Sequence, residues 1–205
     1  FWDVAVFSLI IQRSAHGVFG EFGAKFAKEA AGAPFLEEPS INKAENGELA
    51  LPKRDDVDVV AWAQNETSTG VAAPVQRIGG FEDVLYLTDA TSAAGGIPVD
   101  VSQTGVYYFS PQKNLGGDGG LWFAICSPAA IERARKVQET REWVPASLDM
   151  VKAINNSEKH QTLNTPSIAN LLLIEGQLEW MLENGGLKFA TDRTAKSSQL
   201  LYDWA

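Results

Sequence analysis

Between residues 57 and 126 the chain repeats one pattern: a short apolar run, then a cluster of turn-forming residues. VDVVAWA (57–63) leads into QNETSTG, VLYLT (84–88) into DATSAAGG, and VYYFS (106–110) into PQKNLGGDGG. A fourth run, LWFAIC (121–126), leads into Ser127-Pro128. Apolar runs of this length, bounded by turn residues, read as buried strands. The first three end in polar loops containing glycine. In open α/β sheets, ligands bind at the carboxyl ends of the strands. Neighbouring strands would bring together the loop residues Asn65-Glu66-Thr67, Asp89 and Lys113.

Around these strands the pattern turns helical. Residues 3–12 predict an amphipathic helix broken at Arg13–His16, and GVFG (17–20) a short strand. Glu21–Ala31, rich in Ala, Lys and Glu, predicts a helix. Pro34–Asp56 holds three prolines and much charge without periodicity. It reads as a surface excursion and the place for disorder, with Glu37, Glu38, Asp55 and Asp56 solvated. Pro128–Glu139 predicts a helix with Ser127 as N-cap and Pro128 at its first position. A long helix starts at Thr165 or Ser167, runs to Leu182 and closes at Asn184-Gly185-Gly186. Leu187–Trp204 repeats the helical period. The sum is an α/β chain with a mostly parallel, mixed sheet flanked by helices.

The 205 residues suit one domain or slightly more, and 45% hydrophobic residues are enough for a sizeable core. The net charge of −9 argues against a nucleic-acid binder, so any bound anion needs a local site working against the global field. One cysteine excludes a disulfide within the chain and a cysteine-rich zinc site. The two histidines, His16 and His160, exclude a histidine-cluster metal centre, and neither has a partner apparent in the sequence beyond the nearness of His160 to Asn164. No apolar run approaches the roughly 18–20 residues of a membrane span. The start at Phe1, apolar and without a basic segment, does not read as a signal peptide. It reads as an internal piece of a longer protein. Cys126 reads as a structural thiol, Glu66 as a turn or helix-end residue, and Trp62, Trp122, Trp143, Trp180 and Trp204 as core or interface.

A lysine at a strand end beside Gly116, Gly117, Gly119 and Gly120 suggests close approach of a bulky group. A partly desolvated lysine can attack a carbonyl and form a Schiff base. A carboxylate on the neighbouring strand end, here Asp89, is what a pyridoxal phosphate ring nitrogen requires. The hydroxyls of Thr67, Ser68, Thr69, Thr91 and Ser92 suit its phenolic oxygen or phosphate, and Trp2 is an aromatic available to stack on the ring. Against this stand plainer readings. A loop lysine is usually a solvated charge, a post-strand Asp a cap, and GGDGG a plain turn; the P-loop pattern is absent.

At these residues the chain resembles a known family. AWAQNETSTG, LTDATSAAGG, YYFSPQKNLGGDGG and QTLNTPSIANL, in order along the whole chain, are similar to the phosphoserine aminotransferases of actinobacterial type, class-V aminotransferases with pyridoxal phosphate as cofactor. The resemblance implies fold type I, the aspartate-aminotransferase architecture, with residues 1–205 as the large domain. The family's phosphate loop would lie before Trp2 and its small domain after Ala205; no motif matches its substrate-binding arginines and histidine. The resemblance implies that Lys113 bonds to the cofactor, Asp89 pairs with the pyridinium nitrogen, and Thr67 bonds near the phenolic oxygen. It further implies that Gln112 contacts the phosphate, Trp2 stacks on the ring, and Asn164 and Thr165 reach the cofactor phosphate of the partner in a homodimer. The implied reaction is amino transfer from glutamate to 3-phosphohydroxypyruvate, giving phosphoserine and 2-oxoglutarate. It would be cytoplasmic, in serine biosynthesis and in some organisms pyridoxine biosynthesis. The alternatives are an alanine–glyoxylate aminotransferase, a cysteine desulfurase (which would want its cysteine on a mobile loop) or a non-catalytic α/β fragment.

Overall fold

A computed structural model describes residues 1–205 except Asn46, Arg54 and Glu82. The strands are β1 (Ser14–Val18), β2 (Ser40–Lys43), β3 (Val59–Ala63), β4 (Leu85–Asp89), β5 (Val106–Phe109) and β6 (Phe123–Cys126). They form one sheet in the order β2-β1-β3-β4-β5-β6. All neighbouring pairs are parallel except β5–β6. The mixed, mostly parallel sheet read from the sequence is therefore present. The helices are α1 (Trp2–Ser8), α2 (Glu21–Gly32), α3 (Pro128–Thr140), α4 (Met150–Ser157), α5 (Ile168–Glu183) and α6 (Gly186–Trp204).

Alternation along the strands makes two faces. Val59, Ala61, Leu85, Leu87, Val106 and Tyr108 pack against residues of α1, α2, α3 and α4. Val60, Trp62 and Tyr86 face the other way, into a second cluster closed by the connections that hold Ala73, Ile78 and Phe81. With both faces covered, every residue of β1 and β3 is buried, as parallel sheets require. Ser127 and Ser167 cap α3 and α5 as expected, each hydroxyl accepting a backbone N–H three residues on. Gly185 and Gly186 take φ of 112° and 68° between α5 and α6, a left-handed turn that favours glycine.

Two expectations fail. The first strand covers Ser14–Val18, not 17–20, so the segment read as a break is mostly sheet. The supposed excursion at 34–56 contains β2, an edge strand paired in parallel with β1; Asn46 and Arg54 fall outside the described residues. Its alternating burial is that of a half-covered edge, a signal that proline and charge obscured. Helix α4, capped by Asp149, carries no counterpart in the sequence reading.

Asp58 ties the layers together. Its carboxylate accepts the backbone N–H groups of Ile11, Gln12 and Arg13, each at 2.8 Å, and Nη1 of Arg133 on α3 at 3.2 Å. These bonds hold the α1–β1 connection against the start of β3. Asp58→Ala leaves three amides without their acceptor and should cost about 2–4 kcal/mol of unfolding free energy in urea titrations. A loss below about 1 kcal/mol would show that water replaces the carboxylate fully.

Candidate active site

The parallel register sets Ala63, Asp89 and Tyr108 side by side at the carboxyl ends of β3, β4 and β5. Above this row opens a cavity of about 330 Å³. Trp2, Thr67, Asp89, Gln112 and Lys113 all line it, so five of the seven expected site residues come together. Asn164 and Thr165 do not. They line a separate open groove with His160 and Gln161, before α5.

Hydrogen bonds fix the walls. Asp89 accepts the indole Nε1–H of Trp2 on Oδ2 (3.0 Å) and the Thr91 N–H on Oδ1 (2.9 Å). Trp2 lies nearly parallel to Phe26, 6.3 Å between ring centres. The Tyr108 hydroxyl is buried beside Asp89; burial first, and the Asp89 charge second, push its pKa well up. Phe1 stacks on Tyr108 at 4.3 Å and meets Trp122 edge-on at 5.2 Å.

The three strand-end loops are joined at Ser92. Its hydroxyl accepts from Asn65 Nδ2 and donates to the Asn65 carbonyl, both at 2.9 Å. Its own carbonyl accepts Nδ2 of Asn114, the residue after Lys113, at 2.9 Å. Gly96 is required here, because a Cβ would stand 2.5 Å from the Asn114 amide. On its far side the Lys113 loop is held by Asn170 of α5. That side chain is buried and exchanges bonds with the Asp118 N–H (2.9 Å) and carbonyl (2.8 Å).

Asn65, expected to converge with Asp89 and Lys113, lines the cavity too; sequence reasoning left out Phe22, Ser110 and Trp122, which also line it. Trp122, read as core or interface, is no core residue: it stands 40% exposed at this cavity. Ser110 had a signal, its place between a strand end and Pro111; Phe22 had none, since it enters from α2. Glu66 is the turn residue of the two alternatives, its carbonyl accepting the Thr69 and Gly70 N–H groups, and its carboxylate lies against the N-terminus of α2. Cys126 sits in β6, and burial pushes its thiol up to about 11, the opposite of an activated nucleophile. Among the described residues, no helix is long and apolar enough to cross a membrane.

Residues 41–204 match the family model for aminotransferase class-V. A phosphoserine aminotransferase of Corynebacterium glutamicum is 50% identical over 206 residues, covering 100% of this chain and 55% of that protein. A protein of Mycolicibacterium vanbaalenii that carries the same name provisionally is 55% identical, over 100% of this chain and 56% of its own length. The chain thus spans about half the length of the curated relatives it matches. The crystal structure of a phosphoserine aminotransferase from Cytophaga hutchinsonii superposes with a TM-score of 0.88 at 23% identity, covering 99% of this chain and 58% of that one. An alanine–glyoxylate aminotransferase from Nostoc gives 0.79 at 21%, covering 98% and 56%. At these identities the structures show the shared fold.

His16, without a partner apparent in the sequence, sits on β1 behind the Trp2 wall, buried, with Nε2 2.9 Å from the Ser14 hydroxyl and its ring edge-on to Phe26. Burial lowers its pKa to about 4 from 6.5, so the folded protein keeps it neutral where the unfolded chain takes a proton. The unfolded state then binds more protons between those values, and stability falls as pH drops through that window. Urea unfolding from pH 7 to 4 should show about 3 kcal/mol more loss in the native protein than in His16→Asn. Parallel pH profiles would remove His16 as the cause.

Proposed function

Because the chain belongs to the class-V aminotransferase family, we propose that residues 1–205 are the cofactor-binding large domain of a phosphoserine aminotransferase that uses pyridoxal phosphate. The observation that carries this is the placing of Asp89 and Lys113 in one cavity, on loops of adjacent parallel strands. The donor set fits the cofactor. There is a carboxylate with lone pairs to spare beyond its two bonds. There is an exposed amine, an aromatic wall, and the hydroxyls of Thr67, Thr91 and Ser110. When bound, pyridoxal phosphate supplies an aldehyde and an electron-withdrawing ring for amino-group transfer.

In this reading Asp89 faces the ring nitrogen and keeps its proton in place. Trp2, held by Asp89, covers the ring, Thr67 bonds near the phenolic oxygen, and Gln112 serves the phosphate. The Lys113 amine would hold the aldehyde carbon covalently until the substrate amine displaces it there and, once free, would serve as the base at the substrate Cα. The names of relatives 50–55% identical support amino transfer that forms phosphoserine; glutamate and 3-phosphohydroxypyruvate as substrates, and a cytoplasmic place in serine and pyridoxine biosynthesis, belong to the same proposal. The fold alone does not separate this from alanine–glyoxylate exchange; those identities favour the phosphoserine reading. A desulfurase is disfavoured by the position of Cys126 in β6.

The protein acts as a homodimer with shared sites. The groove of Asn164 and Thr165, apart from the Lys113 cavity of the same chain, supports a role toward a partner's phosphate. So do the exposed Leu172, Leu173 and Leu182 on α5, an apolar surface suited to an interface.

Borohydride added with pyridoxal phosphate should leave a phosphopyridoxyl group on Lys113 in peptide mass spectra. Labelling of Lys152 or Lys159 in its place would refute the assignment. Asp89→Asn should retain part of the cofactor affinity and lose at least about a hundredfold in turnover; a near-normal rate reduces Asp89 to a cap of the turn at Thr91. Mixing full-length Lys113→Ala with Asn164→Ala/Thr165→Ala should restore activity, because a mixed dimer holds one intact shared site. No recovery after verified subunit exchange would place Asn164 and Thr165 outside the partner's site.

A further inference from the structure

We infer that Glu66 is a positioning residue that sets two walls of the cavity at once, the Thr67 turn and the first turn of α2. The inference rests on the cofactor reading above. Glu66 is 1% exposed, with no place in the cavity lining. Its Oε2 accepts the N–H groups of Phe22 (3.2 Å) and Gly23 (3.0 Å) at the start of α2. Its Oε1 accepts the N–H (3.2 Å) and hydroxyl (2.8 Å) of Ser68. Ser68 Oγ in turn accepts the Glu21 N–H at 2.8 Å, and Thr69 Oγ1 donates to the Phe19 carbonyl at 2.9 Å. Gly20 leaves room for this, since a Cβ there would stand 2.2 Å from Glu66 Cγ.

Thr67 therefore follows two anchored residues. Asn65 is bonded to Ser92 on the Asp89 loop, and Glu66 to α2. Helix α2 carries Phe22, which lines the cavity, and Phe26, on which Trp2 lies. One carboxylate thus holds both the hydroxyl of Thr67 and the aromatic support of Trp2 at fixed distance across the mouth. Glutamine keeps the shape of Glu66, but on either side its NH2 meets a backbone N–H, that of Phe22 and Gly23 or that of Ser68, so one side of the clamp loses a backbone bond.

The test is a double-mutant cycle on cofactor binding, with Glu66→Gln and Thr67→Ala in the full-length protein, read by absorbance titration with pyridoxal phosphate. Glu66→Gln should weaken binding about tenfold alone and clearly less beside Thr67→Ala, because the part that acts through Thr67 is then already lost and only the part that acts through α2 remains. Equal losses in both backgrounds overturn the inference. Amide hydrogen exchange without cofactor supplies a second readout. In Glu66→Gln the amides on one side of the clamp, those of Phe22 and Gly23 or that of Ser68, should lose protection, and in the milder Ser68→Ala that of Glu21, while those of β3 and β4 keep it. Unchanged protection at these amides also overturns the clamp. If the unaltered protein takes up no pyridoxal phosphate, the cofactor reading fails, and the exchange data alone decide whether Glu66 joins the turn to α2.

Discussion

Three loops that leave three strands have to stay within a few ångströms of one another for the cavity to exist, and Ser92 is where they are bonded. Its hydroxyl and carbonyl take Asn65 from the β3 loop and Asn114 from the β5 loop. Loops lose conformational entropy when ordered, at roughly 1–2 kcal/mol per residue. Short side-chain amides bonded to a neighbouring loop's hydroxyl and carbonyl recover part of that cost. They also set the relative position of Thr67, Asp89 and Lys113 more narrowly than the strands alone can. The sheet brings the loops near; Ser92 makes them one wall.

Below the loops, the constraint is register. Parallel pairing sets Ala63, Asp89 and Tyr108 level, and a slip by one residue would turn Asp89 to the opposite face. The core resists such a slip, because Leu87 and Tyr86 belong to clusters on opposite faces and would exchange places. Apolar packing thereby fixes the direction of a carboxylate that itself contributes little to the core. The fold and the site are specified by the same alternation.

The strands at 59–63, 85–89, 106–109 and 123–126 were legible because buried parallel strands are short apolar runs between turn residues, a pattern that needs no partner to be seen. The caps Ser127 and Ser167 were legible for the same local reason. β2 was not: an edge strand is half exposed, and Ile41 between Asn42 and Ser40 carries too little apolar signal for four residues. β1 was misplaced because Ser14 and His16, polar in sequence, are buried in the sheet and bonded to each other. At the site, Lys113 and Asp89 stood out because their chemistry and place at strand ends coincide. Phe22 and Trp122 reach the cavity from α2 and from the start of β6, and sequence spacing holds no trace of that convergence. Glu66 showed its residue type but not its partners on α2, which lie 43 and 44 residues away.

The charge balance then explains how an acidic chain can present a site for anions. With a net charge of −9, the long-range field opposes any phosphate or carboxylate that approaches. That opposition is screened beyond about 8–10 Å at ordinary ionic strength, whereas hydrogen bonds act at contact. Within the cavity Asp89 and Lys113 carry opposite charges, and the lining also offers neutral donors such as Thr67, Thr91 and Gln112. Such a lining binds an anion by direction rather than by field, and neutral donors need exact placement to be worth a charge-assisted bond. That placement is what the Ser92 junction and the Asn170 contacts to Asp118 provide. The polar network around the cavity is therefore what a negatively charged chain needs in order to hold a negatively charged ligand there.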